Sequence, residues 1–351
     1  MKKHNRYILI SVLLFSAVIL TLYSKEANEY ARDALKVCAL SVIPSLFPYM
    51  VISNIIVRSG ALSFLGRLFP ISRLFSLPAH ATAPIILGAV CGFPIGAKSA
   101  AAMYENGQIS KSDAEVLISC ANNTGPSFVV SVIGGAFWKS LRFGWELYIF
   151  QLLSSLISAL LVNRIILPHK SSDLKAPENS ANSFDLFSAV CDSVSSVLSV
   201  CGFIVFFSVI SGFSLPFVSR ISPNASVFLS AILEFCQGTR LAASLGGLKG
   251  RFLTGLAVGF SGISVFCQTA AFTERSGLSL RRLTVTKVMQ GLICGAMCAF
   301  LSTPGNIQSG GEYPHYYEYA SVVLSSPIPC SLICTALFIV LIKNLVNDHK
   351  I

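Results

Sequence analysis

The stretch Gly92-Phe93-Pro94-Ile95-Gly96-Ala97-Lys98 lies inside an apolar segment and yet resists a continuous helix. Pro94 lacks an N–H and its ring clashes with the preceding turn, while Gly92 and Gly96 tolerate dihedrals that other residues avoid. Backbone groups freed by such a break are costly in hydrocarbon. They persist at membrane depth where protein buries them or where they line a polar cavity. The break therefore points to a helical membrane protein with interrupted helices, and it is the first candidate for a binding site.

Composition agrees. Of 351 residues 53% are hydrophobic and 12% charged, and the mean hydropathy is +0.69, whereas soluble domains carry about 25% charge. An all-α, polytopic integral membrane protein is expected. The formal net charge of +10 does not call for a nucleic acid, because Lys and Arg stand between and at the ends of apolar runs, where membrane-flanking cations belong. The eleven cysteines mostly lie inside apolar runs, with Cys294/Cys298 and Cys330/Cys334 spaced to share a helix face. They read as small buried residues; no metal and no cofactor is expected.

Read outward from the break, residues 1–34 form an N-terminal anchor. Lys2, Lys3 and Arg6 precede an apolar run over 7–23 with no small-residue cleavage pattern behind it, which predicts an uncleaved spanning helix, followed by a short polar stretch to Asp33. Residues 35–166 make a first unit. Its opening run over 35–57 should kink at Pro44 and Pro48. Residues 60–77, with Arg67 and Arg73 among Phe and Leu, suit an interfacial amphipathic helix. Residues 81–104, punctuated by Pro84, Gly88, Gly92, Pro94 and Gly96, read as a re-entrant hairpin. Ser112 and Glu115 suggest a capping box for the next helix, which Asn122-Asn123-Thr124-Gly125-Pro126 then interrupts. An ordinary span covers 144–166, and 167–184 is a polar linker.

The second unit, 185–351, repeats the style. An apolar run over 186–212 meets a Pro216/Pro223 break, then comes a segment carrying Glu234. A second re-entrant hairpin is expected over 255–272, with Ser261, Ser264, Gln268 and Thr269, before a long run over 280–301. Aligning Gly107 with Gly277 also sets Gly125 against Gly295 and Ala100-Ala101 against Ala270-Ala271, so the halves read as a diverged, inverted repeat. Interrupted segments at matching places in two halves point to a transporter's central site. Charge favours the N-terminus inside through the first half, while the second half, with Arg240, Lys249, Arg251, Arg275, Arg281 and Arg282, does not follow the positive-inside pattern.

Each candidate has a plain counterpart. Lys98 either attracts an anionic substrate or snorkels to the interface. Asn122, Asn123 and Thr124 either face a substrate or bond neighbouring helices. Glu234 either couples a proton or cation or pairs with Arg240. Gly88 to Ser99 lacks the Gly-Lys-Ser spacing of a phosphate loop. Gly259-Phe260-Ser261-Gly262 matches the GxSG of rhomboid-type proteases, but no histidine base follows in a spanning helix; His315 lies among tyrosines of a polar loop and His349 in the tail. No catalytic residue is assigned.

Taken together, Gly92 to Lys98, Asn122 to Pro126, Leu233-Glu234-Phe235-Cys236-Gln237-Gly238 and Gly262-Ile263-Ser264-Val265-Phe266-Cys267-Gln268 resemble the YlbJ/SpoVV-type sporulation integral membrane proteins of the nucleoside-recognition (Gate) group. The resemblance covers about 35–301, and Cys236-Gln237 departs from the Thr-Asn expected there. It implies a multi-pass protein of the bacterial cell membrane, or of the membrane around the forespore. It further implies transport of a small organic anion, dipicolinate above all, with a homo-oligomer or other sporulation membrane proteins as partners besides membrane lipid. The expected substrate-binding set is Gly92, Pro94, Gly96, Lys98, Asn122, Asn123, Thr124, Gly125, Glu234, Gln237, Ser261, Ser264, Gln268 and Thr269. The alternatives are a nucleoside or other small-solute permease and a non-transporting sporulation factor that organises partner proteins.

Overall fold

The computed structural model describes residues 3–58, 71–169, 186–274 and 276–302, and among these the chain is helical or turns between helices, with no strand. Helix α1 (Lys3–Leu22) is followed by α2 (Ser24–Val37). The polar connection expected after Tyr23 is thus a helix, because Tyr30 and Ala34, one turn apart, give it an inner face while its charges stay outside. Past Val37 the backbone widens into a π-helical turn, Cys38–Val42, before α3 (Ile43–Arg58). That turn sits just ahead of Pro44, and α3 runs on through Pro48. A π-bulge is one of the usual ways a helix absorbs a local disruption. The amphipathic helix expected over 60–77 falls mostly outside the described residues; its end is a short 3-10 turn, Ile71–Phe75.

Helices α4 (Thr82–Val90) and α5 (Ile95–Glu105) flank the first break. A Cβ added to Gly88 would lie 1.7 Å from the Ala121 carbonyl oxygen, and one added to Gly96 would lie 2.2 Å from the same atom. The two positions are therefore within about 4 Å of each other, where eight residues of continuous helix would separate them by about 12 Å. The chain folds back at residues 91–94 through Gly92, at φ +83°, and a cis Phe93–Pro94 bond. Both arms need glycine because the end of α6 (Lys111–Ala121) is wedged between them.

The cap of α6 is Ser110 with Asp113, not Ser112 with Glu115. Ser112 instead bonds the His169 ring at 2.9 Å, and Glu115 accepts the Ser279 N–H at 3.0 Å. Of the expected linker, 170–185 lies outside the described residues, while His169 is buried against Asp113 at 2.8 Å. After the break at 122–126 the chain continues as a π-wound segment, Ser127–Phe137, and then α7 (Leu141–Leu161), extended by a π turn to Ile166. Helix α7 is inside out for a protein in water. Leu141, Trp145, Ile149, Leu153 and Ile157 form an exposed stripe, while Gln151, Ser154, Ser155 and Ser158 are buried. Such a helix is stable with lipid against the apolar stripe.

The second half begins with α8 (Leu186–Ile221), which passes Pro216; the chain breaks instead at Ser222, whose hydroxyl caps α9 (Pro223–Leu233). Next come α10 (Phe235–Leu245), α11 (Gly247–Phe260), α12 (Gly262–Thr273) and α13 (Arg281–Phe300). The fold-back in this half is at Glu234. A Cβ on Gly238 would lie 2.3 Å from the Ala231 Cα, across seven residues that would span about 10 Å in one helix. The expected second hairpin at 255–272 is a broken helix: Ser261 takes φ 72° and Gly262 φ 73°, and the two arms part company. Helix α11 packs on α13 and α10, whereas α12 packs on α5, α8 and α9.

Three glycines of positive φ stand between helices: Gly107, at φ +68°, joins α5 to α6, Gly246, at φ +62°, joins α10 to α11, and Gly277, at φ +60°, precedes α13. Among the described residues, four stretches are long and apolar enough to cross a membrane: Leu141–Ile166, Leu186–Arg220, Gly247–Thr273 and Arg281–Phe300. The tightest packing joins α11 to α13. Gly255 meets the Cys294 carbonyl and Cys298 Sγ, Gly259 meets the Gln290 carbonyl, and in return Gly291 and Gly295 face α11. Small residues four apart on both helices let the backbones touch, which is why Cys294 and Cys298 share a face.

Candidate functional site

Each hairpin tip docks on the break of the helix that follows it. At the first, the Phe93 N–H donates to the Asn123 carbonyl at 2.7 Å, and Gly92 packs on Gly125 so closely that a Cβ would come within 2.5 Å of its nitrogen. At the second, Gly262 meets the backbone of Glu234 and Phe235. The two tips then meet each other, the Phe93 and Phe235 rings standing edge to face with centroids 5.3 Å apart. Phe128, one residue into the π-wound segment, is 5.4 Å from Phe235.

These three rings bound a narrow cleft roofed by α3 and α8. It is so thin that it would hold little more than one water molecule. Its polar walls are Thr124, Gln268 and the Gly125 backbone. Thr124 Oγ1 and Gln268 Oε1 are buried and have no hydrogen-bond partner among the described residues. Orphaned buried oxygens of this kind are costly and mark places where a ligand or water belongs. A second cleft shares Ile204 and Cys236 with the first and is walled by Ser208, Glu234, Gln237 and Arg240.

Around the first break the side chains form a belt that crosses the two halves. Asn122 Nδ2 donates to Thr269 Oγ1 at 3.2 Å. Gln290 Nε2 donates to Asn123 Oδ1 at 3.0 Å, and Gln151 Nε2 donates to the Thr124 carbonyl at 2.8 Å. Asn122 Oδ1, Gln151 Oε1 and Gln290 Oε1 remain unpaired. Asn122 and Asn123 are therefore interhelical links that wall neither cleft, while Thr124 walls the first. Gln268 donates to Ser264 Oγ at 3.3 Å, and Thr269 returns its own proton to the Val265 carbonyl.

Glu234 is the N-cap of α10. One carboxylate oxygen accepts the Cys236 N–H at 3.0 Å and the other the Gln237 N–H at 2.8 Å. No ion pair joins it to Arg240 among the described residues. Gln237 reaches Ser208 on α8 at 3.0 Å. Pro94 stands at the start of α5 and Gly96 against Ala121. Lys98 lies apart, its ammonium 3.3 Å from Ser196 Oγ on α8 and 6.0 Å from the Phe272 ring, and it walls neither cleft.

Sequence reasoning missed the aromatic walls Phe93, Phe128 and Phe235, the amides Gln151 and Gln290, and Lys287. A signal for the rings was present: Phe93-x-x-Gly96-Ala97-Lys98-x-Ala100-Ala101 is echoed by Phe235-x-x-Gly238-Thr239-Arg240-x-Ala242-Ala243. Lys287 had none, since it follows Arg281 and Arg282 and reads as another flanking cation.

Buried polar breaks inside a shell of apolar helices define a polytopic helical membrane protein with a central polar site. Consistent with that class, the chain is 24% identical over 364 aligned positions to the sporulation integral membrane protein YlbJ of Bacillus subtilis (strain 168), covering 92% of this chain and 88% of that protein. The similarity supports the YlbJ-type reading of the motifs. No family model and no solved structure matches the chain.

Proposed function

We propose that this protein moves a small organic anion across a membrane during endospore formation, with dipicolinate the favoured substrate. The observation that carries the reading is the cleft at the meeting of two hairpin tips and two helix breaks, with flat aromatic walls and two buried, unpaired oxygens. A planar aromatic acid suits it. Helices α5 and α12 and the π-wound segment start at these breaks without a side-chain cap, and uncapped helix starts attract carboxylates. The link to sporulation comes from the named relative.

The order hairpin, broken helix, long helix occurs twice, so the halves are read as a repeat with Phe93 matched to Phe235, Gly96 to Gly238 and Gly107 to Gly246. Both hairpins are taken to be re-entrant. The cleft as it stands is closed, and the tips must part to admit a solute. Because Lys98 does not wall the cleft, a neutral heterocycle such as a nucleoside is the second reading. Uptake of labelled dipicolinate by proteoliposomes, challenged with unlabelled nucleosides, decides between them. Uptake that resists nucleosides supports the anion; uptake of nucleoside without dipicolinate supports the second reading, and neither solute moving refutes transport of this class.

A further inference from the structure

Lys287 is the ammonium that the site described above leaves unused. It lies on α13 with 1% of its surface exposed, and its Nζ is 3.2 Å from Ser261 Oγ, its one hydrogen-bond partner among the described residues. Ser261 ends α11 in a left-handed conformation, donating its N–H to the Ala257 carbonyl and its hydroxyl to the Val258 carbonyl. Ser261 is also the N-cap of α12, so the ammonium sits where the electronegative end of one half-helix meets the electropositive start of the next. Half-helix ends of this kind are where transporters hold a coupling Na⁺ or proton.

Counter-charges are placed elsewhere. Helix α11 carries Lys249, which is exposed, and Arg251, which binds Ser302 near the far end of α13. Helix α6 carries Lys111, Asp113 and Glu115, the two acids being engaged by His169 and the Ser279 N–H, and its Cys120 thiol bonds the Val116 carbonyl. On α7, Arg142 pairs with Glu146 and Tyr148 donates to the Ala89 carbonyl, while Arg164 in the π turn donates to the Leu74 carbonyl. Along α13 itself, Arg282 holds Asn163 and the Leu167 carbonyl, and Cys294 is the titratable neighbour of Lys287. No carboxylate pairs with Lys287 among the described residues. A cation buried with a hydroxyl and a helix end for company is costly, and in a membrane it marks function.

We propose that Lys287 is a proton-carrying site at the second helix break, its tethered ammonium taking the place of a free coupling cation at the end of α11. When the α11/α12 break opens, the ammonium gives its proton to water on that side and frees Ser261. Once that opening has closed and the break is exposed to the other side, the neutral amine takes a proton from the water there. The coupling role rests on the transport reading; occupancy of the break by a cation does not.

The test has two arms, both on the full chain. In detergent, Lys287→Ala should lower the unfolding midpoint by about 5 °C. Ethylammonium should restore at least half of that loss, choline at equal ionic strength should not, and Lys287→Arg should stay near wild type. A Lys287→Ala variant as stable as wild type, or one indifferent to ethylammonium, overturns the cation site. In vesicles enclosing a pH dye, the wild type should move protons with labelled dipicolinate, a readout that needs no variant to fold. Uptake without proton movement overturns the coupling. Failure of the wild type to take up dipicolinate counts against the transport reading alone, and the amine rescue still decides the site.

Discussion

At the first hairpin the start of α5 carries no side-chain cap and the break beneath it is surrounded by amides. At the second, the Glu234 carboxylate closes the start of α10 and the Lys287 ammonium rests on the break. The hairpin tip is thus uncapped and set among amides in one half and closed by its own carboxyl group in the other. A helix start filled by its own carboxylate has no vacancy for a ligand anion, whereas an uncapped one does. On the transport reading proposed above, the starts of α5, of the π-wound segment and of α12 are left for a solute carboxylate, and the start of α10 is not.

Four tests break or sharpen that contrast. The largest effect is expected where backbone meets backbone. Gly88→Leu places a side chain on the Ala121 carbonyl and Gly238→Leu places one on Ala231. Both should abolish the monodisperse, folded protein seen by size-exclusion chromatography, and survival of either would show that its hairpin is not seated as described. Next, Asn122→Leu with Asn123→Leu removes the neutral belt. Transport should fall to background while folded protein remains in the membrane, and normal uptake would make these amides mere glue.

Smaller effects follow at the charged tip. Glu234→Ala removes the cap of α10 and should cost about 1 to 2 kcal/mol of stability, read by thermal unfolding, with Glu234→Gln keeping part of it. An unchanged midpoint in the alanine variant would deny Glu234 its capping role. Smallest of all is Lys98→Gln. From sequence this residue was expected to draw the substrate anion, but it is held by Ser196 outside both clefts. Affinity for dipicolinate should change by less than about threefold, short of the tenfold that about 1.4 kcal/mol would give. A larger loss would return Lys98 to the site.

Much of this was legible in the chain because breaks announce themselves. Gly92-Phe93-Pro94 and Asn122 to Pro126 put glycine, proline and amides where lipid-facing residues would stand, and both are breaks. Glu234 was read as a functional carboxylate but not as a turn, since one extended residue between two apolar helices leaves no glycine or proline at the turn itself. Gly246 and Gly277 both take positive φ, and isolated glycines in a sequence do not say which turn each serves. The Ser112/Glu115 box misled because Ser110 and Asp113 offer the same spacing one residue pair earlier. Lys287 and Gln290 become visible through the close approach of α11 and α13, a contact between segments far apart along the chain.

That close approach has a mechanical consequence. Between α11 and α13 the backbones approach through Gly255, Gly259, Gly291 and Gly295, with the Phe252 ring packed against Gly295. So close a contact leaves little room for the two helices to slide, and the pair is built as a fixed post. If the tips part to admit a solute, the bending in the second half is left to the residues of positive φ at the two ends of α11, Gly246 and Ser261, so a girder would carry the hairpin on one joint and a half-helix on the other.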